Sequence, residues 1–153
     1  MKKRLTIFIL ISFTTAVALI VGCATAKKSI SDEVFFETWS GTWINTDNPG
    51  NAVEPQKIIT YSDGTLDYYT TTEHSSSSLT VAFTLLEKWI DLNGNTWFKA
   101  CKRCDEWEIS IYEYGKIDSS GDTYELIYHI GSQKIDDWEP DNPQYNYVIY
   151  YRQ

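Results

Sequence analysis

Thr123-Tyr124-Glu125-Leu126-Ile127-Tyr128-His129-Ile130 is the stretch whose alternation decides the fold. In an extended chain Tyr124, Leu126, Tyr128 and Ile130 share one face, and Glu125, Ile127 and His129 share the other. The run before it behaves alike, with Trp107, Ile109 and Ile111 opposed to Glu108, Ser110 and Tyr112. One wet face and one dry face is what an antiparallel sheet over a single core requires. Working outward, eight runs rich in Tyr, Trp, Ile, Val and Thr read as strands, over 41–45, 56–61, 65–72, 79–91, 96–102, 106–114, 123–130 and 145–152. Ser62-Asp63-Gly64, Asn93-Gly94-Asn95 and Ser119-Ser120-Gly121-Asp122 are glycine-bearing turns between antiparallel neighbours. The longer connections fall at 46–55, 73–78 and 131–144. Helical periodicity is missing beyond one short turn over 34–38, capped by Ser31 or Asp32.

Hairpin connections in a chain of 153 residues leave two closures, a sandwich or an up-and-down barrel. The barrel removes exposed edges and suits an even strand count, so the expected fold is all-β, an antiparallel up-and-down eight-stranded barrel. With 42% hydrophobic and 15% aromatic residues, the chain has the material for one packed domain and not the composition of a disordered tail. Its formal net charge is −8, and three of its positive charges, Lys2, Lys3 and Arg4, sit in the leader described next. No nucleic-acid partner is expected, because phosphate affinity rests on Lys and Arg.

Met1-Lys2-Lys3-Arg4 is a basic start, followed by the apolar run Leu5-Thr6-Ile7-Phe8-Ile9-Leu10-Ile11, which continues to Val21. That is the pattern of a secretory signal, although the stretch from Leu5 to Gly22 is also just long enough for a retained membrane anchor. Ile20-Val21-Gly22-Cys23 favours the first, because it resembles the lipobox of bacterial lipoproteins. The resemblance implies cleavage before Cys23, a diacylglycerol (with palmitate-type acyl chains) on its thiol and a lipid anchor in the cell envelope. Ala24 rather than Asp after the cysteine implies the outer membrane in a Gram-negative cell. The expected organisation is therefore a signal peptide over 1–22, the lipidated Cys23 and a tether over 23–33, and a barrel domain over 34–153.

Gly41-Thr42-Trp43 matches the G-x-W signature of the lipocalin and calycin barrels. The run from Lys57 through Asp63-Gly64-Thr65 is similar to the second strand and tight turn of bacterial lipocalin-like lipoproteins. Asp141-Asn142-Pro143-Gln144-Tyr145, leading into a Tyr-rich last strand, looks like them too. The resemblance covers most of the chain from Trp39 to Arg152. It implies that Arg152 covers the Trp43 ring, a structural plug in which a guanidinium over an indole gains ~0.5–2 kcal/mol. It also implies a possible small apolar or amphipathic ligand against Tyr and Trp walls at the barrel mouth, with no ligand-binding residue singled out.

Cys101-Lys102-Arg103-Cys104 is a C-x-x-C. A redox dithiol wants a helix N-terminus in a βαβ setting, and a zinc site wants more ligands than His74 and His129 supply. The favoured reading is a disulfide between Cys101 and Cys104, worth ~2 kcal/mol for so small a loop. Glu73-His74 followed by Ser75–Ser78 has no nucleophile elbow and reads as a solvated hairpin tip, so no catalytic residue is assigned and no enzyme is expected. Asp136-Asp137-Trp138-Glu139-Pro140-Asp141 lacks the glycine and the terminal glutamate of a calcium loop and reads as an acidic loop around an anchored Trp138. No metal and no cofactor are expected. The functions taken forward are a lipid-anchored binding module and, from the acidic surface, a ligand-free partner such as an inhibitor of a basic envelope hydrolase.

Overall fold

The computed structural model describes residues 27–46, 55–72, 75–80, 82–104 and 108–153. The expected positions Cys23, His74 and Trp107 lie outside them. A helix, α1 (Asp32–Trp39), precedes nine strands: β1 (Gly41–Ile44), β2 (Lys57–Thr60), β3 (Leu66–Thr72), β4 (Ser75–Thr80), β5 (Ala82–Ile90), β6 (Thr96–Cys104), β7 (Ile109–Ile117), β8 (Thr123–Ile130) and β9 (Asn146–Arg152). All belong to one antiparallel sheet in the order β4-β3-β2-β1-β9-β8-β7-β6-β5. Chain neighbours pair throughout, and β9 returns to β1 with Trp43 opposite Arg152.

The two ends of that sheet, β4 and β5, are separated in sequence only by Val81. The strand expected over 79–91 is thus divided between β4 and β5. Its first arm pairs back on β3, with Thr72 opposite Ser75, and its second pairs forward on β6. Counted as one stave, this segment gives the eight-stranded up-and-down barrel and excludes the sandwich. The serines at 75–78, expected in a connection, belong to β4 because backbone pairing with β3 sets their conformation. β7 runs to Ile117 rather than stopping at Tyr114, since the turn that ends it begins at Asp118, where Gly121 N–H donates to the Asp118 carbonyl.

Inward positions carry the main core: Trp43, Ile58, Leu66, Phe98, Ile117, Tyr124, Leu126, Val148 and Tyr150, with Phe35 and Trp39 contributed by α1. Ser31 caps the helix through its side chain to Val34 N, and Asp32 and Glu33 complement the positive end of its dipole. Its apolar face seals the barrel end that holds the β2–β3, β5–β6 and β7–β8 turns. Phe35 meets Phe98 edge-on at 5.1 Å, and Trp39 stacks on Phe83 at 4.6 Å.

The outer face is only partly wet. Ile127, assigned by alternation to the polar side, is fully buried with Trp89, Tyr114 and Ile135. The connection over 131–145 folds back on that face and covers it. Trp89 reaches the same face through a bulge: the register with β6 shifts between Leu85 and Glu87, so the side-chain period of two is broken there.

Gly115 is where the packing leaves no room. A Cβ there would lie 2.3 Å from the ring of Phe98, which is itself wedged between Phe35 and Tyr124. Gly115→Ala is therefore expected to destabilise the barrel by ~1–3 kcal/mol, read as a lower urea midpoint with an unchanged m value. A variant as stable as the parent would show that the Phe98 layer is loose.

Candidate functional site

Three constructions concentrate chemistry in this barrel. The first closes the end that α1 covers. The Arg152 guanidinium stands over the Trp43 ring at 4.3 Å, as the G-x-W resemblance implied. It donates from Nη1 to the Ser40 carbonyl at 2.8 Å, from Nη2 to the Thr38 carbonyl at 2.7 Å and from Nε to the Gly121 carbonyl at 2.5 Å. Gly41 lies beneath the fork: a Cβ there would sit 2.8 Å from Nη1, and its φ of 151° suits glycine. The Trp43 indole donates to the Trp39 carbonyl and to Thr60 Oγ1, and Thr60 Oγ1 in turn donates to the Trp39 carbonyl. Gly41, Trp43 and Arg152 therefore form a structural latch, and every polar group of the latch is spent on the fold.

The second lies inside the barrel. Lys102 on β6 and Glu113 on β7 form an ion pair with side chains 1% and 3% exposed. The Lys102 ammonium also stands 5.0 Å from the Tyr68 ring centroid. Burial pushes the Lys102 pKa down and the Glu113 pKa up, and each partner's charge opposes the other's shift. Tyr68 and Tyr124 are both held well above the usual phenol range, chiefly by burial and then by the Glu113 charge. Glu113 Oε2 and the Tyr124 hydroxyl make no hydrogen bond of ordinary geometry. Sequence reasoning missed this pair, although the strand parity of Lys102 with Phe98 and Ala100 signals it.

The third is on the outer face at the β5–β6 turn. Trp89 and Trp97 are opposite each other across the two strands, their rings parallel within 3° and 6.2 Å apart. Tyr114 meets both edge-on, and Trp138 meets Trp97 at 5.3 Å, so Trp138 anchors the acidic loop as expected. A pocket of about 330 Å³ opens here, walled by Trp89, Trp97, Tyr114 and Leu92, with Lys27, Asp91 and Asn93 at its polar side. The Lys27 ammonium lies 3.9 Å from the Trp89 ring centroid.

Asp91 holds the shape of this pocket. It accepts from Asn93 N, Asn95 N, Asn95 Nδ2 and Trp97 Nε1 at 2.8–3.0 Å. Partial burial disfavours its charge, but these donors outweigh that and hold its pKa below the usual carboxyl value. Asp118 is likewise lowered: burial again opposes, and donors in the β7–β8 turn (Ser120, Thr123, Asp122 and Gly121) prevail. Carboxyls whose folded pKa is depressed stabilise the fold above their ordinary pKa near 3.8, and that contribution is lost as pH falls through the folded value. Stability should therefore drop below about pH 4, and Asp91→Asn should flatten that limb; an acid limb unchanged in the variant would remove Asp91 from the account.

The expected disulfide does not form. Cys101 is a free thiol, half-buried. Both cysteines lie in β6, where three residues of extended chain separate their Cα atoms by about 10 Å, beyond the reach of a bridge. β6 continues straight through the C-x-x-C instead of turning there, because each residue from Cys101 to Cys104 pairs with β7. His129 Nδ1 contacts the Gln144 carbonyl at 3.2 Å, a packing role for the connection over 131–145. Among the described residues, no group of three or more His, Cys, Asp and Glu is placed to hold a metal ion. No described helix is long and apolar enough to cross a membrane. Comparison with protein-family models, curated proteins and solved structures gives no match for this chain, so its own geometry has to carry the functional reading.

Proposed function

We propose that this chain is a lipid-anchored binding module of a bacterial envelope, held by an acylated Cys23, that takes a small amphipathic ligand at the aromatic pocket beside the β5–β6 turn. The observation that carries the reading is the pocket itself, an opening of about 330 Å³ whose walls are two tryptophans, a tyrosine and a leucine. Apolar walls with a few fixed polar groups are the ordinary make-up of a small-ligand site. Asp91, Asn93 and Lys27 supply those groups on one side. A ligand deep in the barrel is less favoured, because Phe98, Tyr124, Tyr150 and Lys102 are almost wholly buried against one another's neighbours there. The acyl anchor rests on the residues Ile20-Val21-Gly22-Cys23 and on the physical point that two or more chains hold a domain stably.

Native mass spectrometry of protein purified from its own membrane tests both halves. A retained small-molecule mass that disappears in Trp97→Ala supports the pocket. A retained mass indifferent to Trp97→Ala, or no retained mass in any preparation, overturns it. Metabolic incorporation of labelled palmitate that Cys23→Ser abolishes supports the anchor, and label that survives the substitution overturns it.

A further inference from the structure

The described part of the expected tether, from Lys27 onward, is docked on the sheet. Lys28 N donates to the Ile90 carbonyl at 2.9 Å, and Ile90 N donates to the Lys28 carbonyl at 2.8 Å, so the segment docks as a one-residue antiparallel extension of β5. Lys27 adds two side-chain contacts, a salt bridge to Glu87 at 3.2 Å and its ammonium over the Trp89 ring. Four residues after Lys28 α1 begins, and Asp32 pairs with Lys88 of the same strand. Only three residues, four Cα–Cα steps, thus separate Cys23 from the pinned Lys27, a reach of at most ~14 Å, where a free tether to the helix would span roughly 30 Å. Because the pairing is antiparallel, the chain comes to Lys28 from the side of the β5–β6 turn.

From this juxtaposition we infer that the β5–β6 corner is a membrane-seating surface, which rests on the anchored reading above and takes as its partner the interfacial zone of a phospholipid bilayer. Leu92 stands at the tip of that turn and is 76% exposed, the most exposed of the large hydrophobic side chains described. Behind it are the indoles of Trp89 and Trp97 and the ring of Tyr114, the residue types that settle at the headgroup level. Of the nearby carboxylates, Asp91 is turned into its own loop and Glu87 is paired with Lys27, while Asp137, close enough for its charge to act on Tyr114, is exposed. The corner therefore presents an exposed apolar tip, backed by the half-buried Trp97, beside the docked tether, a surface fitted to a zwitterionic bilayer. The ligand pocket then opens at the lipid surface, where amphipathic molecules partition.

The test uses the full acylated chain in phosphatidylcholine vesicles, with the photo-crosslinker p-benzoylphenylalanine introduced at Leu92 or at Gln133, an exposed position in the connection that follows β8. Crosslinking to phospholipid from position 92 should exceed that from 133 by roughly tenfold, the contrast expected between a tip in the headgroup layer and one held in water. Lys28→Pro removes the N–H that holds the docked tether and should cut the yield at 92 severalfold without changing acylation. Equal yields at the two positions with Cys23 acylated, as read by mass of the N-terminal peptide, would overturn the seating while leaving the anchor intact. An unmodified Cys23 would overturn both.

Discussion

Glu113→Ala should cost this barrel ~3–5 kcal/mol, and the double variant Lys102→Met/Glu113→Leu should cost nothing or add up to about 4 kcal/mol. The reason is asymmetric. Removing one partner leaves the other charge 1% exposed among rings and aliphatic groups with no counter-ion. Removing both returns the site to an apolar core, and the desolvation that opposes the native pair vanishes with it. In the single variant burial holds the Lys102 pKa further below its ordinary 10.5, because the Glu113 charge that opposes that shift is gone. The unfolded chain then binds more protons at Lys102 than the folded one, so stability should rise as pH rises toward 10.5. Urea titrations of both variants at pH 7 and about pH 9.5 check the magnitude and the sign together. A single variant at least as stable as the double one, or one whose stability falls over that interval, would remove the ion pair from the interior.

Arg152→Ala should also lose ~3–5 kcal/mol, or roughly 10–20 °C in melting temperature for a domain of this size. One guanidinium ties together three parts of the chain at the covered end: the α1–β1 junction at Thr38 and Ser40, the β7–β8 turn at Gly121, and the closing strand β9. Its stacking on Trp43 contributes ~0.5–2 kcal/mol, and hydrogen bonds from a charged group to carbonyls contribute more. Arg152→Lys should recover less than half, because an ammonium cannot hold three carbonyls around a flat fork while lying over a ring. Gly41→Ala gives an independent check. Its added Cβ meets Nη1, so it should cost less in an Arg152→Ala background than in the parent. Additive losses would show that Gly41 answers only to its backbone angle and not to the guanidinium.

Much of this was legible in the sequence. The period-two runs 96–102 and 123–130 lie within β6 and coincide with β8, and the three glycine turns fall between the strands they were expected to join. Gly41, Trp43 and Arg152 came forward from a three-residue signature and a position near the last strand's end, and the structure stacks them together. These features are local or rest on nearest-neighbour pairing, where the identity of a residue and its parity along the strand are enough. The division of the expected strand over 79–91 between two pairings, the bulge after Leu85 and the run of β6 through both cysteines were not legible, since each is set by the partner strand's register.

What the sequence determined by itself was the class of architecture, because alternation and turn chemistry act within a few residues, while the latch was what the G-x-W resemblance implied. What only the tertiary structure decided was which charges meet and which faces are covered. Lys102 and Glu113 are eleven positions apart and look like ordinary surface residues until two adjacent strands turn them into one interior. Lys28 and Ile90 are farther apart still, and their pairing depends on a β5 edge that the strand order leaves free. Burial and long-range pairing are properties of the curled sheet as a whole, and no window of the chain contains them.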